Sequence, residues 1–106
     1  MIIHKFFEAD GTTFPIVDQA DSTVIRVNFV NDVRTGIFHC QNTNAQETNV
    51  TLKGSMDGET DSYVTVHTFT SLQSDGTDAA SAVVTLFPYM KVIQTAAGSI
   101  RAYLGE

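Results

Sequence analysis

Tryptophan is absent from this chain, cysteine occurs once and proline twice, and only six of the 106 residues are lysine or arginine. Each scarcity closes off something. A single cysteine, Cys40, cannot form an internal disulfide. It stands in the strand-like run His39–Cys40–Gln41 and reads as a buried structural thiol. With no Lys/Arg cluster and a formal net charge of −6, the chain lacks the local positive field that phosphate backbones and anionic lipid surfaces require. Neither nucleic acid nor membrane is therefore an expected partner. No apolar run approaches the length that spans a bilayer. The opening M-I-I-H-K is charged by its fifth residue and is too short for a secretory core, so synthesis and folding in a reducing cytoplasm are expected.

Chemical motifs are scarce as well. His4, His39 and His67 are isolated from one another, and their spacing matches no metal site. Asp57-Gly58-Glu59-Thr60-Asp61 carries oxygens of the kind Ca²⁺ takes, but not at the spacing of the EF-hand loop. A turn rich in Asp and Gly has that composition anyway. There is no G-x-S-x-G elbow, no phosphate loop and no dinucleotide fingerprint. No catalytic residue, cofactor or metal is expected, and the chain does not read as an enzyme.

What is present is β-strand sequence. The charged fraction of 17% is low, and Thr, Val, Ser and Asn fill the space, of which Thr and Val suit a pleated, half-buried surface. The clearest signal is Asn49 to Phe69. Val50, Leu52 and Met56 share one side of an extended chain, Thr51, Lys53 and Ser55 the other, and Asp57-Gly58 marks a hairpin turn before alternation resumes over Ser62–Ser71. Further strands read as Ile2–Glu8, Thr13–Val17, Thr23–Val30, Ile37–Gln41, Ser81–Phe87, Pro88–Thr95 and Ile100–Leu104, with Pro88 fixing a corner. Asn42–Thr48 is polar throughout and reads as a loop, and Gln73–Ala80 as a longer one. No segment has a helical period. The expectation is an all-β chain of one domain, residues 1–106, folded as a single antiparallel sandwich or jelly roll of about eight to nine short strands.

Several strands are apolar on both faces. Ile2 and Phe6 alternate with Ile3 and Phe7, and Tyr63 and Phe69 oppose Val64 and Val66. One small sandwich cannot hide both sets, so Ile2, Ile3, Phe6, Phe7, Tyr63 and Phe69 are the expected interface residues. Residues 1–8 would then form an interface strand, or else a strand held between the two layers of its own protomer. The tyrosines Tyr63, Tyr89 and Tyr103 are also the available platforms for stacking a sugar ring.

Two stretches resemble a known family. V-T-L-K-G-S-M-D-G-E-T-D-S-Y, with its G-S-x-D-G core, is similar to the hairpin of discoidin-like, galactose-binding-type jelly rolls. F-P-Y-M-K-V-I-Q-T-A-A-G-S-I-R-A-Y-L-G resembles the closing strands of the same fold. Together they cover the second half of the chain. Small free-standing proteins of this pattern look like structural proteins of tailed bacteriophages, including the decoration (cement) proteins of the head. The resemblance implies a virion protein, a homotrimer bound to the major capsid protein or another virion protein. Its alternative is a carbohydrate-binding module on a tail or baseplate. The chain departs from discoidin lectins in having no Trp after the D-G turn and no disulfide.

Overall fold

A computed structural model describes residues 4–6, 24–27, 34–42, 46–73, 79–95 and 100–105. Eight strands run in chain order: β1 (His4–Phe6), β2 (Ile25–Arg26), β3 (Thr35–Asn42), β4 (Thr48–Ser55), β5 (Val64–Leu72), β6 (Ala79–Thr85), β7 (Tyr89–Gln94) and β8 (Ile100–Gly105), with one 3₁₀ turn at Thr60–Ser62. They form two four-stranded sheets, ordered β1-β8-β3-β6 and β2-β7-β4-β5. The antiparallel pairs β4–β5, β3–β6, β2–β7 and β1–β8 nest inside one another. The chain is one long hairpin doubled at the β4–β5 tip and rolled into two layers. That is the eight-stranded jelly roll.

Alternation explains most of the strands. In β3, Gly36, Phe38, Cys40 and Asn42 are buried while Thr35, Ile37 and His39 face out. In β7, Met90, Val92 and Gln94 are buried, and in β8, Ile100, Ala102 and Leu104. Phe38 and Phe69 stack across the two sheets, with ring centroids 5.2 Å apart and planes 7° from parallel. Val50 and Leu52 lie in the same core at 0% exposure, as the hairpin pattern requires. Gly54 continues their row because a Cβ there would come within 2.5 Å of the Phe87 ring. Pro88 does sit at the corner between β6 and β7, and its carbonyl accepts the Val27 N–H at 2.8 Å.

Four expectations are corrected. Met56 is 70% exposed and Ser55 is buried, the reverse of the alternation. β4 ends at Ser55, and the Ser55 hydroxyl turns under the loop to accept the Gly58 N–H at 2.9 Å. The connection is also longer than a two-residue turn: it runs from 56 to 63 around the 3₁₀ turn, with Gly58 at φ +77°. Asn42 and Thr48, expected in a loop, end β3 and begin β4 and are fully or almost fully buried. The Asn42 amide donates to the Leu72 carbonyl at 2.8 Å and the Gln46 carbonyl at 3.1 Å, and Thr48 donates to the Gln94 side chain at 3.3 Å. These polar side chains close one end of the core with their hydrogen bonds made.

The fourth correction concerns β5, whose two apolar faces do not persist. Its register with β4 shifts twice. Leu52 faces His67 and Lys53 faces Thr65, so Val66 is passed over and packs against the core. Beyond this bulge Val64 faces Gly54, on the same side as Phe69 facing Val50. The second shift falls between Phe69 and Leu72, where Ser71 takes φ +57°. Thr13–Val17, Phe29, 74–78, 96–99 and the side chains of the Ile2–Glu8 strand lie outside the described residues.

Candidate functional site

The four outer strands of the two sheets differ sharply in how they are protected. An edge strand exposes a row of unpaired N–H and C=O groups, and proteins guard it with shortness, charge or bulges. Among the described residues the edges at one side of the sandwich are β1, which contains Lys5, and the two-residue β2, which contains Arg26. At the other side the edges are β5 and β6, of nine and seven residues, which lie against each other across the layers. No Asp, Glu, Lys or Arg occurs from Ser62 to Gln73 or from Ala79 to Met90. β5 and β6 themselves therefore carry no formal charge in a chain of net −6. This side also carries exposed apolar side chains: Val83 is 76% exposed and Val64 52%, and Ile37, opposite Val83 on β3, is 45% exposed.

The outer face of the second sheet is the most cationic region described. The Arg26 guanidinium lies 4.5 Å from the centre of the Tyr89 ring and donates to its hydroxyl at 2.8 Å. Gly58 packs on the same ring: a Cβ there would meet Tyr89 at 3.1 Å. Lys91 lies 4.6 Å from the centre of the Tyr63 ring and directly faces Lys53. Partial burial, then the nearby Tyr89 and Asp57, raise the Tyr63 pKa. Two of the three tyrosines available for stacking a sugar thus hold cations of this protein on their rings. Tyr103, the third, lines an open hollow of about 230 Å³ on the first sheet with His39, Gln41 and Arg101.

The Asp57–Asp61 loop uses its own acid. The Asp57 Oδ1 accepts the Ser62 hydroxyl at 2.6 Å, the Glu59 N–H at 3.0 Å and the Ser55 hydroxyl at 3.2 Å. Ser62 chiefly, then Glu59, holds the carboxyl below its ordinary pKa. This is an Asx-type anchor that fixes the loop. Among the described residues no group of three or more His, Cys, Asp and Glu is placed to hold a metal. His39 meets the Ser81 hydroxyl at 2.6 Å on the first sheet, and His67 meets Phe69 edge-on at 4.8 Å on the second. Cys40 is fully buried, and burial pushes its thiol up to about 12.

Of the expected interface residues, Phe69 belongs to the core: it is 7% exposed and stacked on Phe38, so it has little surface to offer another chain. Tyr63 is half-buried at the loop, under Lys91. Ile2, Ile3 and Phe7, and the side chain of Phe6, lie outside the described residues. The residue the sequence reading passed over is Val83. Its signal was the run A-A-S-A-V-V-T, a strand with neither a charge nor a proline.

Comparison with family models, with curated proteins and with solved structures returned no match.

Proposed function

We propose that this chain is a structural protein of a virus particle, of the decoration (cement) type on a tailed-phage head, acting as a homo-oligomer against the major capsid protein or another virion protein. One observation carries the reading. β5 and β6 are long, regular in part, without a charged residue and set with exposed Val64 and Val83, whereas β1 and β2 each contain a cation and β2 has two residues. A free-standing domain gains nothing from such asymmetry, because exposed edges invite association. A protein whose work is lateral contact does gain from it. The jelly roll is also an architecture that viral capsid and lectin domains share, which supports the reading without deciding it.

The experiment adds purified protein to phage heads that lack their decoration protein and follows co-sedimentation. Saturable binding, together with increased resistance of the heads to heat, is the expected result. Light scattering of the free protein tests whether it is an oligomer at all. Heads left bare, with saturable binding of the monomer to glycans, would replace this reading with a carbohydrate-binding one.

A further inference from the structure

We infer that β6 is a sheet-extension site whose occupant is β6 of a second copy, paired antiparallel about a two-fold axis. The inference rests on the structural reading above and names its first contact.

Elimination among the four edges of the described strands leads to β6. β2, of two residues, is too short to offer a ladder, and β1 and β2 each contain a cationic residue, Lys5 and Arg26. β5 is long, but its register shifts twice and Ser71 takes a left-handed backbone, so its outer row of backbone groups is broken. β6 is different. Its seven residues pair with β3 from Thr35↔Thr85 to Gln41↔Ala79 without a shift, and it contains no Gly, no Pro and no ionisable side chain. Half of its backbone hydrogen-bonding groups point to β3, and the other half point away from the sheet. Water satisfies such a row group by group, and another extended strand satisfies it with a regular ladder of main-chain hydrogen bonds.

Charge and symmetry then choose the occupant. A second copy carries the same net −6, so a contact that leaves charged residues out avoids net repulsion between copies. Pairing β6 with β6 brings no formal charge of either strand near the other. A closed two-fold contact uses the same patch twice, and a strand without charge is automatically compatible with itself. The other edge a copy could offer in the same sheet, β1, would make a heterologous contact that runs on to further copies unless it closes a ring. The product is one sheet of eight strands across two protomers, β1-β8-β3-β6 continuing into β6-β3-β8-β1 of the second copy. Val83 and Ile37 of each copy lie on its outer surface. Because an edge pairs once, this contact makes dimers, and any larger assembly uses a different surface.

The test is light scattering of the full-length chain over a dilution series, for the wild type and for Val83→Lys, Thr85→Lys and Thr65→Lys. The first two place a lysine on β6 at exposed positions; the third places one on exposed β5 as the control. The wild type is expected to be a dimer whose dissociation constant rises at least about tenfold in the two β6 variants and stays within about threefold in Thr65→Lys, since tenfold is about 1.4 kcal/mol. Amide exchange on the wild type gives an answer that needs no variant: β6 amides should lose protection on dilution while β3 and β8 amides keep theirs. A wild-type monomer at every concentration overturns the inference, as does a trimer, or a dimer indifferent to the β6 lysines with β6 amides exchanging freely. Head binding separates the two claims. Heads bound by a chain that never dimerises through β6 leave the structural role standing alone, and a β6 dimer that ignores heads leaves the dimer alone.

Discussion

Asn49 holds Ser71 in place across the β4–β5 ladder: its Oδ1 accepts the Ser71 backbone N–H at 2.7 Å. Ser71 is the one described non-glycine residue with positive φ, at +57°, and it stands where the β5 register slips so that Phe69 and Leu72, three apart, are both buried. A left-handed backbone costs a side-chain-bearing residue about 1–2 kcal/mol, more than the roughly 0.5–1 kcal/mol of chain entropy that glycine loses. Ser71→Gly is therefore expected to raise stability by about 0.5 kcal/mol, and Ser71→Val to lower it. Asn49→Ala should cost about 1 kcal/mol, the net worth of one hydrogen bond. Urea midpoints for the three variants check the signs.

Leu52 and Thr51 are neighbours in β4 with opposite fates. Leu52 has no exposed surface, while Thr51 faces out and its hydroxyl meets that of Thr68 at 3.2 Å. Truncating Leu52 to Ala leaves a cavity and should cost about 2–5 kcal/mol. Thr51→Ala should cost less than about 1 kcal/mol. Comparable losses in denaturant titration would mean that the inward face of β4 is assigned to the wrong residues.

Cys40 links the core to alkaline pH. Its folded-state pKa is raised from 9.0 to about 12 by burial, so the neutral thiol is the form that folding favours. Below pH 9 this contribution is fully present. Between 9 and 12 the unfolded chain releases the proton and the folded one keeps it, so stability falls by at most about 1.4 kcal/mol per pH unit. Melting temperatures from pH 7 to 10.5 should fall more steeply for the wild type than for Cys40→Ala. In native buffer the thiol should be inert to a thiol reagent, and in denaturant it should react at once.

Asp57 works in the opposite direction. Its carboxyl pKa is lowered from 3.8, foremost by the Ser62 hydroxyl, so its contribution is complete above that value and is lost as the pH falls through the lower folded value. Asp57→Ala should reduce the urea midpoint at pH 7. The gap from the wild type should close in acid. Asp57→Asn, which keeps an acceptor at the same position, should fall between the two.

Where one strand parity ran on without interruption, the sequence was enough. Phe38 and Cys40 are buried as the alternation of β3 requires, and so are Val50 and Leu52 in β4. The same parity carried one step further puts Asn42 inward after Cys40 and Gln94 inward after Val92, and it starts β4 at Thr48. Polarity hid that continuation, because a buried amide reads as a loop residue until its hydrogen-bond partners are visible. Met56 and the faces of β5 failed for a different reason. A register shift leaves no mark in composition, and Val66 is an ordinary strand residue that happens to be passed over. Protection of the edges was not legible either, since which strands lie at the margins depends on the pairing order.

The nested pairing also sets an order in time. Gly54 meets Val64 after a short excursion of the chain, whereas His4 meets Gly105 across nearly all of it. Closing the outermost pair first would cost about 2 kcal/mol more in loop entropy than closing a loop one-tenth as long. Once β4–β5, β3–β6 and β2–β7 have formed in turn, that excess disappears. Refolding should therefore run from the tip of the hairpin outward, on the slow millisecond-to-second scale of chains dominated by distant contacts. Substitutions near Gly54 and Val64 should slow refolding, while those in β1 and β8 should mainly hasten unfolding.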